Sequence, residues 1–477
     1  MPYAKLVDPS GEGVTRWVLS GRVPEAQAGA DEEVEVVGPR WALLRERLAG
    51  DLLLPGDDGY DTARLPFNSL YDHRVPAAVA RCASPDDVRH CLAEARRSGL
   101  PVAARGGGHG YAADCVPHGG LVVDLAPLSG VEVRPDGTAV VGAGARLRDV
   151  YAALIAAGRF LPLGNCHSVG IAGLTLGGGI GWADRAFGLT CDRLRSARVV
   201  TTDSREVTAS GAEHEDLFWA LRGGGGGNFG VVTSFEFATA PVPPAFTVFR
   251  ARFPAGSAAD VLGAWQPWST AAPEAVSTVC VVRPDGTVEL EGSAVAPAAA
   301  TRAEVARLLA AVGTPAPLED AEVDHATAVA LTAVPQPERN AFRASSRLSD
   351  GPWTDPAAIA GTLRDREAAL LVVSALGGAI DRPADTDTAY PHRGATTSVQ
   401  VFADVGDLPP DRVTREVDEV QRALVPLVGR ATYVNYLDPL QEDWAESAYR
   451  HNLPRLRRIA HRYDPDGVLG FPRSVRA

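Results

Sequence analysis

At 477 residues the chain exceeds the roughly 250 to 300 at which one hydrophobic core stops growing, so it implies two or three domains. Its 45% hydrophobic and 22% charged residues are ordinary for a globule and exclude a fibrous or disordered chain. A net charge of −13 opposes nucleic acid and anionic membrane, both of which are gripped through clustered Lys and Arg.

No apolar run approaches the ~18 residues that span a bilayer, and the opening MPYAKLVDPSGEG has no secretory pattern, so a cytoplasmic chain is expected. From Val75 onward short apolar runs alternate with helical patterns, which predicts mixed α and β structure. Ser84 caps a predicted helix with Pro85, Asp86 and Asp87 in its first turn and Val88, Cys91, Leu92 and Ala95 on one face, ending at Gly99. A strand over 101–104, the turn RGGGHG and a second strand over 120–125 follow. Pro135-Asp136-Gly137 predicts a hairpin, and Leu147, Val150, Tyr151 and Leu154 form a helical stripe. After GNCHSVGIAGLTLGGGIG at 164–181 come a strand near Val199, a helix in EDLFWALR, the run GGGGGN at 223–228 and the strand VVTSFEF. Clustered prolines in PVPPAF, 241–246, mark a domain boundary, because proline extends neither a helix nor a central strand.

Each glycine adds to the backbone entropy lost on folding, so three glycine clusters in one half of the chain need a cause. Bare backbone can approach a pyrophosphate closely and cradle it with successive N–H groups, which points to a nucleotide cofactor at 105–110 and 170–181. A Rossmann site is disfavoured, since no GxGxxG opens a helix directly after a strand with an acidic residue ~20 positions on. The six cysteines lack metal-ligand spacing, and no metal is expected.

The segments PAAVA, SPDDV, PVAARGGGHGY, GNCHSVGIAGLTLGGGIGWADRAFGLTCD, DLFWALRGGGGGNFGVVTSFEF, AYPHR, YVNYLDP and RYDPDGVL, in that order, resemble the berberine-bridge-like family of FAD-linked oxidases. The likeness runs from about residue 40 to the C-terminus, with the middle third matching only at AYPHR. It implies an α+β fold: a two-subdomain, PCMH-type FAD-binding domain plus a substrate domain with an antiparallel sheet backed by helices. The expected division is 1–242 for the FAD domain, with its PCMH-type core at about 72–242, then 243–430 for the substrate domain and 431–477 for a return that completes the FAD domain.

The resemblance further implies FAD held bicovalently, through its 8α carbon at His109 and its C6 at Cys166. Imidazole nitrogen and thiolate suit that chemistry, as both are nucleophiles able to add to an electron-poor ring. Arg105, Gly106, Gly107, Gly108, Gly110, Gly170, Gly173, Gly178, Gly181, Val232 and Asn435 complete the expected cofactor set. Val169, three residues after the cysteine, occupies the family's oxygen path, where a small side chain goes with reaction with O2. Tyr436, the second tyrosine of YVNY, is the implied catalytic base. A strand there would place Tyr436 and Val434 on one face and Tyr433 and Asn435 on the other. A phenol of reference pKa near ~10 needs a cation or hydrogen-bond donors to act as a base at neutral pH.

Tyr390, Ser398, Gln400, Phe402 and Asp404 are expected to line the substrate, with Phe402 where family members that oxidise alcohols often carry an acid or a tyrosine. Trp265, Trp268 and Trp353 read as core before they read as stacking platforms. The implied activity is an oxidase of secondary metabolism. It removes a hydride from an alcohol, hemiacetal or related centre of a bulky sugar-bearing or polycyclic molecule and reduces O2 to hydrogen peroxide. A dehydrogenase or an oxidative cyclase on the same fold, or a flavin-binding protein without catalysis, are the alternatives.

Overall fold

The computed structural model describes residues 38–334 and 339–476, with two short paired strands, Tyr3–Leu6 and Arg16–Leu19. The rest of the opening segment MPYAKLVDPSGEG, and most of the first 37 residues of the expected FAD domain, lie outside the described residues. Local chemistry sets the first elements. Ser84 Oγ accepts the Asp87 N–H at 3.2 Å, the acidic first turn suits the helix dipole, and Gly99 closes the helix Pro85–Ser98 with φ +63°. That helix buries Val88, Cys91, Leu92 and Ala95 as the spacing predicted.

A four-stranded sheet runs in the order Asp51–Leu53, Ala78–Arg81, Leu121–Asp124, Val102–Arg105, its last three strands parallel. Burial of all four residues of Leu121–Asp124 is what a central parallel strand demands. The predicted hairpin pairs Val131–Val133 with Thr138–Gly142 at the edge of a five-stranded antiparallel sheet, continued by Val231–Ala238, Leu194–Val200 and Glu206–Ser210. One hydrophobic core unites both sheets and also takes in Tyr449, Leu453, Leu456, Ile459 and Val475 from the end of the chain.

The third sheet has seven antiparallel strands, ordered Leu318–Val323, Phe246–Phe253, Val288–Ala294, Val276–Val282, Leu370–Ala375, Thr397–Asp404, Phe342–Ser349. Its two faces follow the two-residue side-chain period. Cys280, Val282, Val373, Val399 and Val401 pack into a second core with the helices Ala258–Ala271, Ala298–Val312 and Pro410–Val428. Their neighbours Val279, Val281, Val372, Gln400 and Phe402 turn the other way, onto a cavity. Trp265 and Trp353 are buried in the second core and Trp268 packs against it, which accounts for all three tryptophans without a ligand. Among the described residues no helix is long and apolar enough to cross a membrane.

Candidate active site

Three glycine-rich loops meet at a single cavity of about 1070 Å³, at the upper end of the ~300–1,000 Å³ usual for small-molecule sites. Gly106–Gly110, the 164–181 stretch and Gly225–Gly227 form one wall and the seven-stranded sheet forms the other. Close approach is the reason for the first glycines. A Cβ on Gly107 would collide with the backbone of Gly170, and one on Gly170 with that of Gly107, so the two loops touch main chain to main chain. A Cβ on Gly110 or Gly173 would meet nothing within 4 Å, and both glycines border the cavity. Such a wall of bare backbone with free space in front suits a phosphate-bearing cofactor. Gly181 and Val232 also border it.

His109 and Cys166 open onto this same cavity. The imidazole stacks on Phe67, ring centroids 3.8 Å apart and 19° between planes. Burial, reinforced by the Arg146 guanidinium, brings its pKa down to about 3, so the ring is neutral and keeps a free lone pair. Arg146 is itself fixed by donating to the carbonyls of Gly107 and Ser168. Burial pushes the Cys166 thiol up to about 11, so it rests protonated. Cys166 begins a tight turn closed by the Val169 N–H on its carbonyl at 3.0 Å, and Val169 sits on the cavity wall. A neutral imidazole, a thiol and bare backbone amides around one large cavity are a donor set that fits FAD.

The YVNY segment corrects the strand expected there. Val434–Tyr436 is a 3-10 turn, closed by the Tyr436 N–H on the Tyr433 carbonyl at 2.8 Å. Distant contacts hold it: the Tyr433 hydroxyl accepts the Gly179 N–H at 2.9 Å, the Ile180 N–H at 3.3 Å and the Asn435 amide at 2.9 Å. Asn435 also donates to the Leu174 carbonyl at 3.2 Å, and its amide fills the place a side chain on Gly177 would take. The turn sets the Tyr433 and Tyr436 rings nearly perpendicular, at 4.9 Å and 85°. Tyr436 projects into the cavity and stacks flat on Tyr111, at 5.3 Å and 2°.

The cation or donor that a phenolate base would need is not found. Among the described residues nothing hydrogen-bonds the Tyr436 hydroxyl. Burial, followed by the charges of Tyr433, Cys166 and Asp184, drives its pKa far above the ordinary tyrosine value.

Five of the expected site residues stand off the cavity wall. Arg105 is buried behind its loop, paired with Asp124 at 2.9 Å, because two parallel strand ends bring these opposite charges together. Gly178 packs on the Tyr390 ring. Tyr390 is buried in a separate apolar cluster, its hydroxyl unpartnered. Ser398 is 2% exposed beneath the wall. Asp404 lies at the exposed end of its strand, where it accepts the Asn340 amide. Gln400 and Phe402 do reach the cavity. Gln400 donates to the Tyr111 hydroxyl, and Phe402 stacks on Phe342 at 5.3 Å.

Tyr111, Phe342 and Asp184 also line the cavity, and none was singled out from sequence. Tyr111 directly follows the RGGGHG turn, a signal that was available, whereas Phe342 and Asp184 carry no local mark of their position.

Comparison with known proteins agrees with this geometry. An "FAD binding domain" family model matches residues 76–210, and a "Berberine and berberine like" model matches 432–476. An uncharacterized FAD-linked oxidoreductase of Bacillus subtilis (strain 168), YgaK, is 31% identical over 447 residues, covering 90% of this chain and 98% of that protein. The structure of Physcomitrella patens BBE-like 1 superposes with a TM-score of 0.86 at 27% identity, over 91% of this chain and 98% of that one. A glucooligosaccharide oxidase from Acremonium strictum, described with 6-S-cysteinyl, 8α-N1-histidyl FAD, superposes with a TM-score of 0.83 at 25% identity and the same coverage. Cofactor loops, cavity and kinship agree, and the chain belongs to the berberine-bridge-like family of FAD-linked oxidoreductases.

Proposed function

We propose that the protein is an oxidase that withdraws a hydride from a hydroxyl-bearing carbon of a bulky sugar-bearing or polycyclic small molecule, with O2 as final acceptor and hydrogen peroxide as product. The observation that carries the reading is the meeting of His109, Cys166 and Tyr436 on one cavity whose opposite wall is a broad sheet. Bound FAD would supply the two-electron acceptor and the centre at which O2 is reduced.

His109 and Cys166 are the residues that would tether it. The A. strictum oxidase supports this, because its flavin carries one histidyl and one cysteinyl bond. Residues 1–242 and 431–477 would then form the FAD domain and 243–430 the substrate domain. Val169 leaves room beside Cys166 for O2. Tyr436 meets the substrate hydroxyl and acts as its base, while Tyr433 and Asn435 hold the turn that aims it. With its hydroxyl protonated at rest, Tyr436 takes the substrate proton only as it gives up its own. The aromatic patch of Tyr111, Phe342 and Phe402 favours a second reading, oxidative ring closure of a phenol, since flat rings stack on such a surface.

A panel of oligosaccharides, glycosylated aromatics and free phenols tests both readings. Peroxide formed in step with loss of an alcohol is the expected result. Flavin that bleaches with substrate, stays reduced in air and reoxidises with an artificial acceptor would move the protein to the dehydrogenases.

A further inference from the structure

Of the five carboxylate residues that line the cavity, Asp114, Asp184, Glu291, Glu319 and Asp320, only Asp184 is buried, and neither the resemblance nor the sequence patterns assign it. Asp184 opens the short helix Asp184–Phe187, is 2% exposed and borders the cavity. One of its oxygens accepts the Gly181 N–H at 3.2 Å. Among the described residues it has no ion-pair partner. The adjacent guanidinium, Arg185, donates through its two terminal nitrogens to the carbonyls of Leu376 and Ala272 instead, and its Nε has no partner among the described residues.

A buried carboxylate held by backbone N–H groups alone, with no ion pair, is costly unless something else uses it. Its charge acts electrostatically on Tyr436 from the 434–436 turn and on Tyr390 from the segment before the strand Thr397–Asp404, and Arg185 from its own helix acts on it. The strand position that Phe402 fills offers no ionisable group, and the Tyr436 hydroxyl has no acceptor of its own for the proton it must release.

We infer that Asp184 is the proton acceptor behind Tyr436, taking up through cavity water the proton that Tyr436 releases when it receives the substrate's. The step balances. The substrate O–H bond breaks, an O–H bond re-forms on Tyr436, and the proton Tyr436 has lost ends on an Asp184 oxygen. Bound flavin would supply the acceptor for the carbon's hydrogen and its electron pair, which leaves a carbonyl. Hydrogen peroxide needs one proton beyond the hydrogen taken from carbon, and Asp184 holds it. Burial raises the Asp184 carboxyl to about 7, only partly offset by backbone N–H groups and Arg185. It therefore exchanges its proton at neutral pH, where a buried phenol does not. The assignment rests on the oxidase reading above.

Two measurements on holoenzyme test it. An infrared difference spectrum followed from pH 5.5 to 8.5 should show in wild type a protonated-carboxyl component lost near pH 7, missing from Asp184→Asn, which keeps only the component of Asp381, raised by burial to about 6. With cellobiose and 2-naphthalenemethanol as probes, wild-type flavin reduction should rise with pH through one ionisation near 7. Asp184→Asn, with unchanged flavin content, should lose that limb and slow about 100-fold above it. Asp184→Glu should restore the limb at an altered midpoint, which loss of packing alone would not do. Asp184→Asn that keeps the wild-type pH profile within about threefold overturns the assignment while leaving the oxidase reading standing. A carboxyl band that titrates as expected, with no probe able to reduce the flavin, overturns the oxidase reading and the relay with it.

Discussion

The wall made by 106–110, 164–181 and 225–227 presents backbone to the cavity, whereas the wall made by Val276–Val282, Leu370–Ala375 and Thr397–Asp404 presents side chains. The backbone wall depends on missing Cβ atoms, so almost any substitution there changes its shape, and its composition announces it in sequence. The sheet wall depends on every second residue of an antiparallel strand. Those residues can change in size and polarity while the pleat, the helix-facing core and the fold survive. A shared cofactor and a variable substrate are suited to these two modes of construction.

The largest effect is expected at the proposed tethers on the backbone wall. Changing both His109→Ala and Cys166→Ala should send all flavin into the supernatant on acid precipitation. Either change alone should leave it bound, with a shifted absorption spectrum. Retention of flavin by the double variant would remove both residues as tethers.

Tyr436→Phe comes next. It preserves the ring stacked on Tyr111 and deletes the hydroxyl, so flavin reduction should slow by ~10² to 10⁴, roughly 3 to 5 kcal/mol of barrier, at unchanged flavin content. A rate within threefold of wild type would take Tyr436 out of the mechanism.

Stability against pH reads the charge buried between the walls. The folded-state pKa of Asp184 is raised from 3.8 to about 7, so the stability contributed by its protonated form is full below ~pH 4 and is lost as pH rises through 7. Asp184→Asn, which cannot ionise, should therefore match wild type near pH 4 and exceed it at pH 8 by roughly 2 to 4 kcal/mol. Parallel denaturation curves at the two pH values would refute the shift.

Gly107→Ala should cost about 1 to 3 kcal/mol through overpacking against Gly170 and lower flavin loading, seen as a reduced melting temperature and a lower visible-to-ultraviolet absorbance ratio. Gln400→Ala on the opposite wall should instead alter KM and leave flavin loading alone. The smallest effect belongs to Asp404→Asn. At the solvent end of its strand, it should change neither kcat nor flavin content by as much as twofold in steady-state assays.

What was legible in sequence follows the same division. The helix from Pro85 to Ser98 and the 135–137 hairpin are written in caps and turn residues, and the chain obeys them. Both candidate tethers and Tyr436 were named from sequence, and the fold brings all three to one cavity. The YVNY turn was misread as a strand because its shape is imposed by Gly179 and Ile180, some 250 residues away, through the Tyr433 hydroxyl. Arg105 looked like a cofactor contact because it adjoins the glycine turn. Its partner Asp124 becomes its neighbour only when the parallel strands pair. Phe342 and Asp184 depend on sheet order and loop path, neither of which has a local signature.

The cavity wall draws on residues from Phe67 to Arg473, and the Val475 N–H donates to the Asn228 side chain beside the third glycine loop. On the ribosome, the His109 loop is made long before Phe471 and Arg473. At ~5 to 20 residues per second the interval is roughly 20 to 70 s. During that time the glycine loops have neither their last wall nor a complete cavity in which to retain flavin. Flavin capture is accordingly a late event in the life of each molecule, and a cell short of FAD would accumulate fully synthesised chains still waiting for their cofactor.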